Sequence, residues 1–500
     1  MSRHSEELEH YLDEMSRYEH VTTLLYWDMK TNAPRLGQGA HIDALTYFSS
    51  KSFAMATDEA LGALLDVLSE PGEYEKLDEK WKYIVRRMKR DFDRNRRIPP
   101  ERYEAYVRAQ AEAGNAWEEA KNASEFSTFA PHLKKMIELT KELTGYTDPD
   151  REIYDALIDQ YEEGMDSATI DRLFGELKEA LIPLVQKITA KPQPQNPAFS
   201  EYFDPDGQRK VQAMLLEYIG FRWDAGAVGE TEHPFSLNFS SQDVRVTNHF
   251  HSNDPISAMF SAIHEGGHGI FEQNVNPAYD RTVAGSCRHM GIHESQSRFY
   301  ENILGRNKNF WIPIYGKLGD LLPQFQSISI DDFCQEINHV KNSFIRTQAD
   351  EVTYCFHIIL RYEIEKAIFR EHVPVEELPG LWNRKMEEYL HITPQNDAEG
   401  ILQDMHWSDG MFGYFPTYLL GSIYDGMYLE RIEEQLGSVD QILAEGRIGE
   451  ITKWLNEHIH FYGSTRAPKE VIWAVCQKEV SAQPLIRYFT EKYTKIYELA

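Results

Sequence analysis

The sequence predicts a mainly α protein with one small β-sheet near its centre. Three observations carry this reading. Apolar residues recur at three- and four-residue steps over most of the chain, only one region alternates with period two, and no apolar run approaches a membrane span. With 42% hydrophobic and 26% charged residues in 500, the composition is that of an ordinary folded chain with a sizeable core.

The elements follow in order. Leu8, Tyr11, Leu12, Met15 and Tyr18 lie on one helical stripe. LDEKWKYIVRRMKRDFDRNRR continues with mixed charges and meets a stop signal at Ile98-Pro99-Pro100. EAYVRAQAEAGNAWEEAKNA and IDRLFGELKEALIPLVQKI keep the helical period, so the first part of the chain, to about residue 187, is expected to be helical throughout. The proline-rich, polar stretch from Lys191 to Gln208 predicts a surface loop. Between Phe235 and Phe250, Phe235, Leu237 and Phe239 alternate with polar residues and Val244 and Val246 flank Arg245, which predicts strands. From there to Ala500 the pattern returns to helices. Length alone would suggest about three domains, but no repeat or low-complexity tract divides the chain, and a single domain over 1–500 is expected.

The formal net charge of -28 argues against binding nucleic acid or an anionic membrane through bulk electrostatics. MSRHSEELEHYLDEM has no apolar segment or cleavage site of a signal peptide. Cys287, Cys334, Cys355 and Cys476 are far apart and form no CxxC pair, which suits free thiols in a cytoplasmic protein.

The chemistry is concentrated in AIHEGGHGI, from Ala262 to Ile270. Asn253 or Asp254 can cap a helix, Pro255 suits its first position, and Asn274 is a stop, giving about five turns, roughly 28 Å. On it His264 and His268 lie one turn apart on one face, able to share one metal ion, with Glu265 on the adjacent flank. Zinc suits imidazole, and a catalytic zinc site takes three protein ligands. Gly266 and Gly267 work against the helix, each by roughly 1 kcal/mol relative to alanine. They are expected to let another element or a substrate backbone approach closely. The third ligand is not in the HExxHxxGxxH position, which holds Asn274, and Glu272 lies two turns from His264, too far to reach back. A glutamate on a second helix remains, and Gly291 to Gly305 holds His293, Glu294 and Glu301.

HEGGH followed by HESQ (His293 to Gln296) resembles the M32 family of metallocarboxypeptidases. DVRVT (Asp243 to Thr247), IRTQAD (Ile345 to Asp350) and GILQDMHW (Gly400 to Trp407) match further signatures of that family in order. The resemblance implies a large helical metallopeptidase with a deep central groove and a small sheet beside the zinc helix, similar to neurolysin and angiotensin-converting enzyme. Site and groove would then fall at about 230–430, and the protein would be a homodimer acting on peptides with a free C-terminus. It implies His264, His268 and Glu294 as ligands of one Zn2+, replaceable by Co2+ or Mn2+. Glu265 would be the general base, Arg245 and Arg346 the groups that hold the substrate carboxylate, and His406 a residue near the catalytic centre.

Arginine offers a carboxylate a rigid two-pronged fork. Arg346 is expected on a helix, where Asp350 one turn on could orient it. Asp404 is expected to orient His406; His406 and a tyrosine are candidates to assist the oxyanion, and of Tyr414, Tyr418, Tyr424 and Tyr428 the first, nearest to His406, is the one expected. His293 is expected to steady a ligand. Two other readings are a zinc oligoendopeptidase of similar fold and a non-catalytic, metal-stabilised binding protein. No GxMEN-type sequence for a free amine is present, which argues against an aminopeptidase.

Overall fold

The computed structural model describes residues 3–193, 197–285 and 287–499. The helices that carry the argument are α1 (Arg3–Thr31), α2 (Gln38–Ala56), α3 (Glu59–Ser69), α4 (Glu79–Asn95), α5 (Pro100–Ala123), α6 (Phe126–Thr147), α7 (Ile153–Tyr161), α8 (Ser167–Thr189), α9 (Pro205–Ile219), α10 (Pro255–Gln273), α11 (Met290–Arg298), α12 (Thr353–Phe369), α13 (Phe415–Leu436) and α14 (Gln483–Ile496). Among the described residues no helix is long and apolar enough to cross a membrane. Of the stretch expected to be a loop, 194–196 lie outside the described residues. Its last part already belongs to α9, whose first turn is capped by the Asp204 carboxylate accepting the Gly207 N–H.

The apolar stripes read from the sequence become two cores. Leu8 and Leu12 of α1 meet Leu61, Leu65 and Leu68 of α3 and Trp81, Ile84 and Val85 of α4 in a small N-terminal core. A much larger core runs from Ala109 to Tyr493 and surrounds α10, α11 and α13.

The sheet has three strands in the order β1-β3-β2, where β1 is Gly226–Glu230, β2 Ser236–Ser240 and β3 Asp243–Asn248. β2 and β3 are the strands expected from the alternation and pair antiparallel. β1, which pairs parallel to β3, was not expected. Its GAVGE sequence shows no alternation, and its side chains are largely exposed, so backbone hydrogen bonds to β3 rather than burial of one face hold it.

The glycines of the central helix are explained by its neighbours. The Asp254 carboxylate accepts the Ser257 N–H at 3.0 Å to start α10, and Asn274 ends it. A Cβ on Gly266 would sit 2.7 Å from the methyls of Leu216 and Ile219 on α9. A Cβ on Gly267 would sit 2.7 Å from the carbonyl oxygen of Gln296 and 2.8 Å from the Cα of Ser297, both backbone atoms of α11. On its far side α11 is met by Gly421 of α13, where a Cβ would come within 3.0 Å of the Ser295 nitrogen. The short α11 is thus clasped between two helices at backbone distance.

Gly267→Ala is therefore expected to destabilise the fold by about 1–3 kcal/mol through overpacking. Gly114→Ala, in open space on α5, is expected to stabilise it by roughly 0.5–1 kcal/mol. Denaturant midpoints of the two variants against the parent check this pair.

Candidate metal centre and active site

The donor atoms of His264, His268 and Glu294 lie within 4.8 Å of one another. Each of the three has one atom committed to a protein partner. The Glu301 carboxylate accepts from His264 Nδ1 at 2.8 Å. His268 Nδ1 lies 2.6 Å from His293 Nδ1, His293 Nε2 donates to Glu272 Oε1 at 2.9 Å, and Asn238 Nδ2 donates to Glu272 Oε2 at 2.6 Å. Arg298 Nε donates to Glu294 Oε1 at 2.6 Å. What remains is Nε2 of both histidines and Oε2 of the glutamate. His268 Nε2 and Glu294 Oε2 are 3.7 Å apart, close to the edge of about 3.3–3.4 Å of a tetrahedron with zinc–ligand bonds of about 2.0–2.1 Å. Two imidazoles and a carboxylate, each fixed by a partner, form a donor set that fits zinc.

Helix geometry explains the arrangement. His264 and His268 share a face of α10 with ring centroids 4.9 Å apart, and the approach permitted by Gly267 brings α11 with Glu294 beside them. Glu294 and Arg298 are one turn apart on α11. Glu301 follows in a π-helical turn, Phe299–Leu304. Burial alone would raise the Glu301 carboxyl, but the His264 hydrogen bond and the His264, Arg298 and Arg306 charges bring it down to about 2. Burial works against a charged His264, yet Glu301 first, then Glu294 and Glu265, raise it to about 9 in the metal-free protein. Glu265 is buried, which pushes its carboxyl up to about 7, with the Glu294 charge adding to the rise and His264 opposing it.

The second group of residues lies around Asp404. Its Oδ1 accepts from Arg346 Nε at 3.0 Å and Nη2 at 2.8 Å. Its Oδ2 accepts from Arg361 Nε at 2.7 Å. Burial opposes this charge, but the two guanidinium groups hold the Asp404 carboxyl far below the usual range. Three expectations are corrected here. Arg346 sits in a 3-10 turn, Arg346–Gln348, not on a longer helix. Asp350 accepts the backbone N–H groups of Lys341, Val352 and Thr353 and so caps α12 instead of touching Arg346. Asp404 binds the two arginines, and His406 is held instead by Tyr418, whose hydroxyl is 3.1 Å from Nε2. Burial lowers His406 to about 4 despite the nearby Asp404, so its ring is neutral.

Tyr414 packs edge-on against Tyr161 and Tyr418, with its ring centroid 5.7 Å from that of His406. Arg245 has its own partners on the sheet. It forms a two-pronged pair with Asp243, Nε to Oδ1 at 2.9 Å and Nη2 to Oδ2 at 2.8 Å, and lies over the rings of Phe239 and Trp27. Its strand neighbours Val244 and Val246 are buried on the opposite face.

The model of the family described as "Carboxypeptidase Taq (M32) metallopeptidase" matches residues 7–493. The chain belongs to the M32 family. Carboxypeptidase 1 of Bacillus subtilis is 42% identical over 490 residues, covering 98% of this chain and 97% of that protein. Thermostable carboxypeptidase 1 of Thermus thermophilus is 32% identical, with 95% of each chain covered. The crystal structure of the M32 carboxypeptidase from Deinococcus radiodurans superposes with a TM-score of 0.96 at 28% identity, covering all of both chains. The protein is a metallocarboxypeptidase with the large helical fold of its family.

Sequence reasoning named Glu301 only as an open ligand candidate and Tyr418 only as one of four candidate tyrosines, and it missed Arg298, Tyr354 and Arg361 altogether. The i,i+4 spacing of Glu294 and Arg298 was a usable signal. The others are assembled across tens of residues.

Two outcomes follow from these contacts. Glu301→Gln is expected to weaken metal binding about 10–100-fold, since it removes the charge that orients His264, and competition with a metal-sensitive dye measures it. Asp404→Ala leaves two buried guanidinium groups without their counter-charge and is expected to cost about 3–5 kcal/mol of stability in urea unfolding.

Proposed function

We propose that this M32 metallocarboxypeptidase uses one zinc ion, held by His264, His268 and Glu294, to release single C-terminal amino acids from peptides with broad specificity. The observation that supports it most is the convergence of three unpaired donor atoms beside the buried Glu265. A divalent ion bound there would polarise the scissile carbonyl and lower the pKa of water. Glu265 accepts a proton from the attacking water and delivers it to the leaving nitrogen, and its raised pKa suits both halves of that exchange.

Direction of attack comes from Arg346. A guanidinium has five N–H groups. Asp404 takes one on Nε and one on Nη2, and the Tyr354 hydroxyl accepts one from Nη1 at 3.1 Å. One N–H remains on each terminal nitrogen, the pair needed to hold a substrate carboxylate. Arg245, rigid in its pair with Asp243 and stacked on two aromatic rings, is a second basic group for that end of the substrate. His406 holds Tyr418, so of the two neighbouring tyrosines Tyr418 is the better-positioned donor to an oxyanion, with Tyr414 packed behind it.

Co2+ or Mn2+ in place of zinc is compatible with the same ligands. Four free cysteines support a cytoplasmic location, and the homodimer suggested by the family resemblance is retained as part of this reading.

Glu265→Gln is expected to keep its metal and lose peptide hydrolysis by at least about a thousandfold. On the parent protein, mass spectrometry of a peptide should show residues lost one at a time from a free C-terminus and none from the same peptide with a C-terminal amide. Equal cleavage of both peptides would point to an endopeptidase and overturn the proposal.

A further inference from the structure

The metal ligands and the Arg346 group meet at one residue, Tyr354, the second residue of α12. It is buried, 5% exposed. Its hydroxyl accepts from Arg346 Nη1 at 3.1 Å, and its ring carries the Arg298 guanidinium, with the guanidinium carbon 3.9 Å from the ring centroid. Arg298 in turn holds Oε1 of Glu294. A chain of contacts therefore runs from Asp404 through Arg346, Tyr354 and Arg298 to Glu294.

Each link suits its place. Arg298 is a largely buried cation that needs both a counter-charge and a surface to lie on. Glu294 supplies the charge, and the Tyr354 ring supplies an electron-rich face whose attraction strengthens when water is excluded. Arg346 needs its free N–H groups aimed at one place. Asp404 fixes one edge of the guanidinium and the Tyr354 hydroxyl fixes the opposite nitrogen, so the plane cannot turn about its own axis. The Tyr418 ring, 5.1 Å from the Arg346 guanidinium carbon, covers the same group.

We propose that Tyr354 is a positioning residue shared by the two halves of the site. Through its hydroxyl it sets the Arg346 fork that receives the substrate carboxylate, and through its ring it seats Arg298 against the ligand Glu294. It touches neither substrate nor metal itself. The hydroxyl half rests on the proposed role of Arg346, whereas the ring half does not.

The two halves separate in two variants. Tyr354→Phe keeps the ring and removes the hydroxyl. It should raise KM for peptides with a free C-terminus about tenfold, leave kcat within about twofold, and leave the dissociation constant for zinc unchanged. Tyr354→Leu removes both and should also weaken zinc binding about tenfold or more, read in the purified, folded variant by dye competition. Arg346→Gln run alongside reports on the underlying reading. If Arg346→Gln raises KM but Tyr354→Phe does not, the role of the hydroxyl is refuted while the carboxylate clamp stands. If Arg346→Gln leaves KM unchanged, the clamp fails and the hydroxyl half falls with it. Unchanged zinc affinity in Tyr354→Leu would overturn the ring half on its own.

Discussion

The site depends on one steric fact: α10 and α11 touch backbone to backbone at Gly267. Two helices with ordinary side chains between them pack about 8–10 Å apart. Here even a single Cβ would meet the Gln296 carbonyl and the Ser297 Cα, and Gly421 presses α11 from the other side. That closeness lets a carboxylate on α11 reach the same point in space as two imidazoles on α10. The residues of α11 are suited to the position. Ser295, Gln296 and Ser297 are fully buried, and the two serine hydroxyls donate back to the carbonyls of Ile292 and Glu294, so no polar group is left to demand space or water. The end of the clasp is fixed by Glu162, which accepts the Gly291 N–H and the Tyr424 hydroxyl at 2.8 Å each. The lost helix propensity of two glycines is thereby offset by packing that no larger residue could form.

Once the helices are that close, electrostatics decides how the side chains stand. Glu294 and Glu265 are buried and Glu301 is part-buried beside them, and such a collection of acids is unfavourable unless each is compensated. Arg298 serves Glu294, His264 serves Glu301, and Glu265 is left with its carboxyl raised to about 7. The one of these three acids without a strong partner is the one proposed to change protonation state during the reaction. The same logic separates the arginines: Asp404 locks Arg346 and Arg361, whereas Arg245 is balanced locally by Asp243.

How much of this could be read beforehand depended on sequence distance. Local patterns gave α10 with its Asn274 stop and a cap at Asn253 or Asp254, and the strands β2 and β3, while the proposed triad of His264, His268 and Glu294 came only from the family resemblance. β1 escaped because GAVGE carries no periodic signal and exists only by pairing with β3. Arg346, after the apolar SFI and before Ala349-Asp350, was expected on a helix. The Asp350 side chain accepts the Val352 and Thr353 N–H groups and starts α12 there, which leaves the preceding segment in a turn. The partner of Arg346 was misjudged for a different reason. Asp350 was near in sequence and Asp404 is 58 positions away, a contact no local rule can rank. The glycines of HEGGH were expected to admit a neighbour, but only the fold shows that Gly266 faces α9 and Gly267 faces α11, the helix that carries Glu294.

Placing Arg346 in a turn changes what sets its direction. A side chain on a long helix takes its direction from the helix axis, so re-aiming it moves many contacts. In a turn, direction must come from hydrogen bonds, and Arg346 has them from Asp404, Tyr354 and, through its backbone N–H, Gln403. Gln403 also accepts from Arg361 and donates to the Phe344 and Glu399 carbonyls, so the turn, α12 and the Gly400–Trp407 loop are tied at several points. Arg346 is thus held by a polar network, while His264, His268 and Glu294 are brought together by helix packing. Tyr354 belongs to both, which makes the first residues of α12 the place where the two kinds of rigidity are joined.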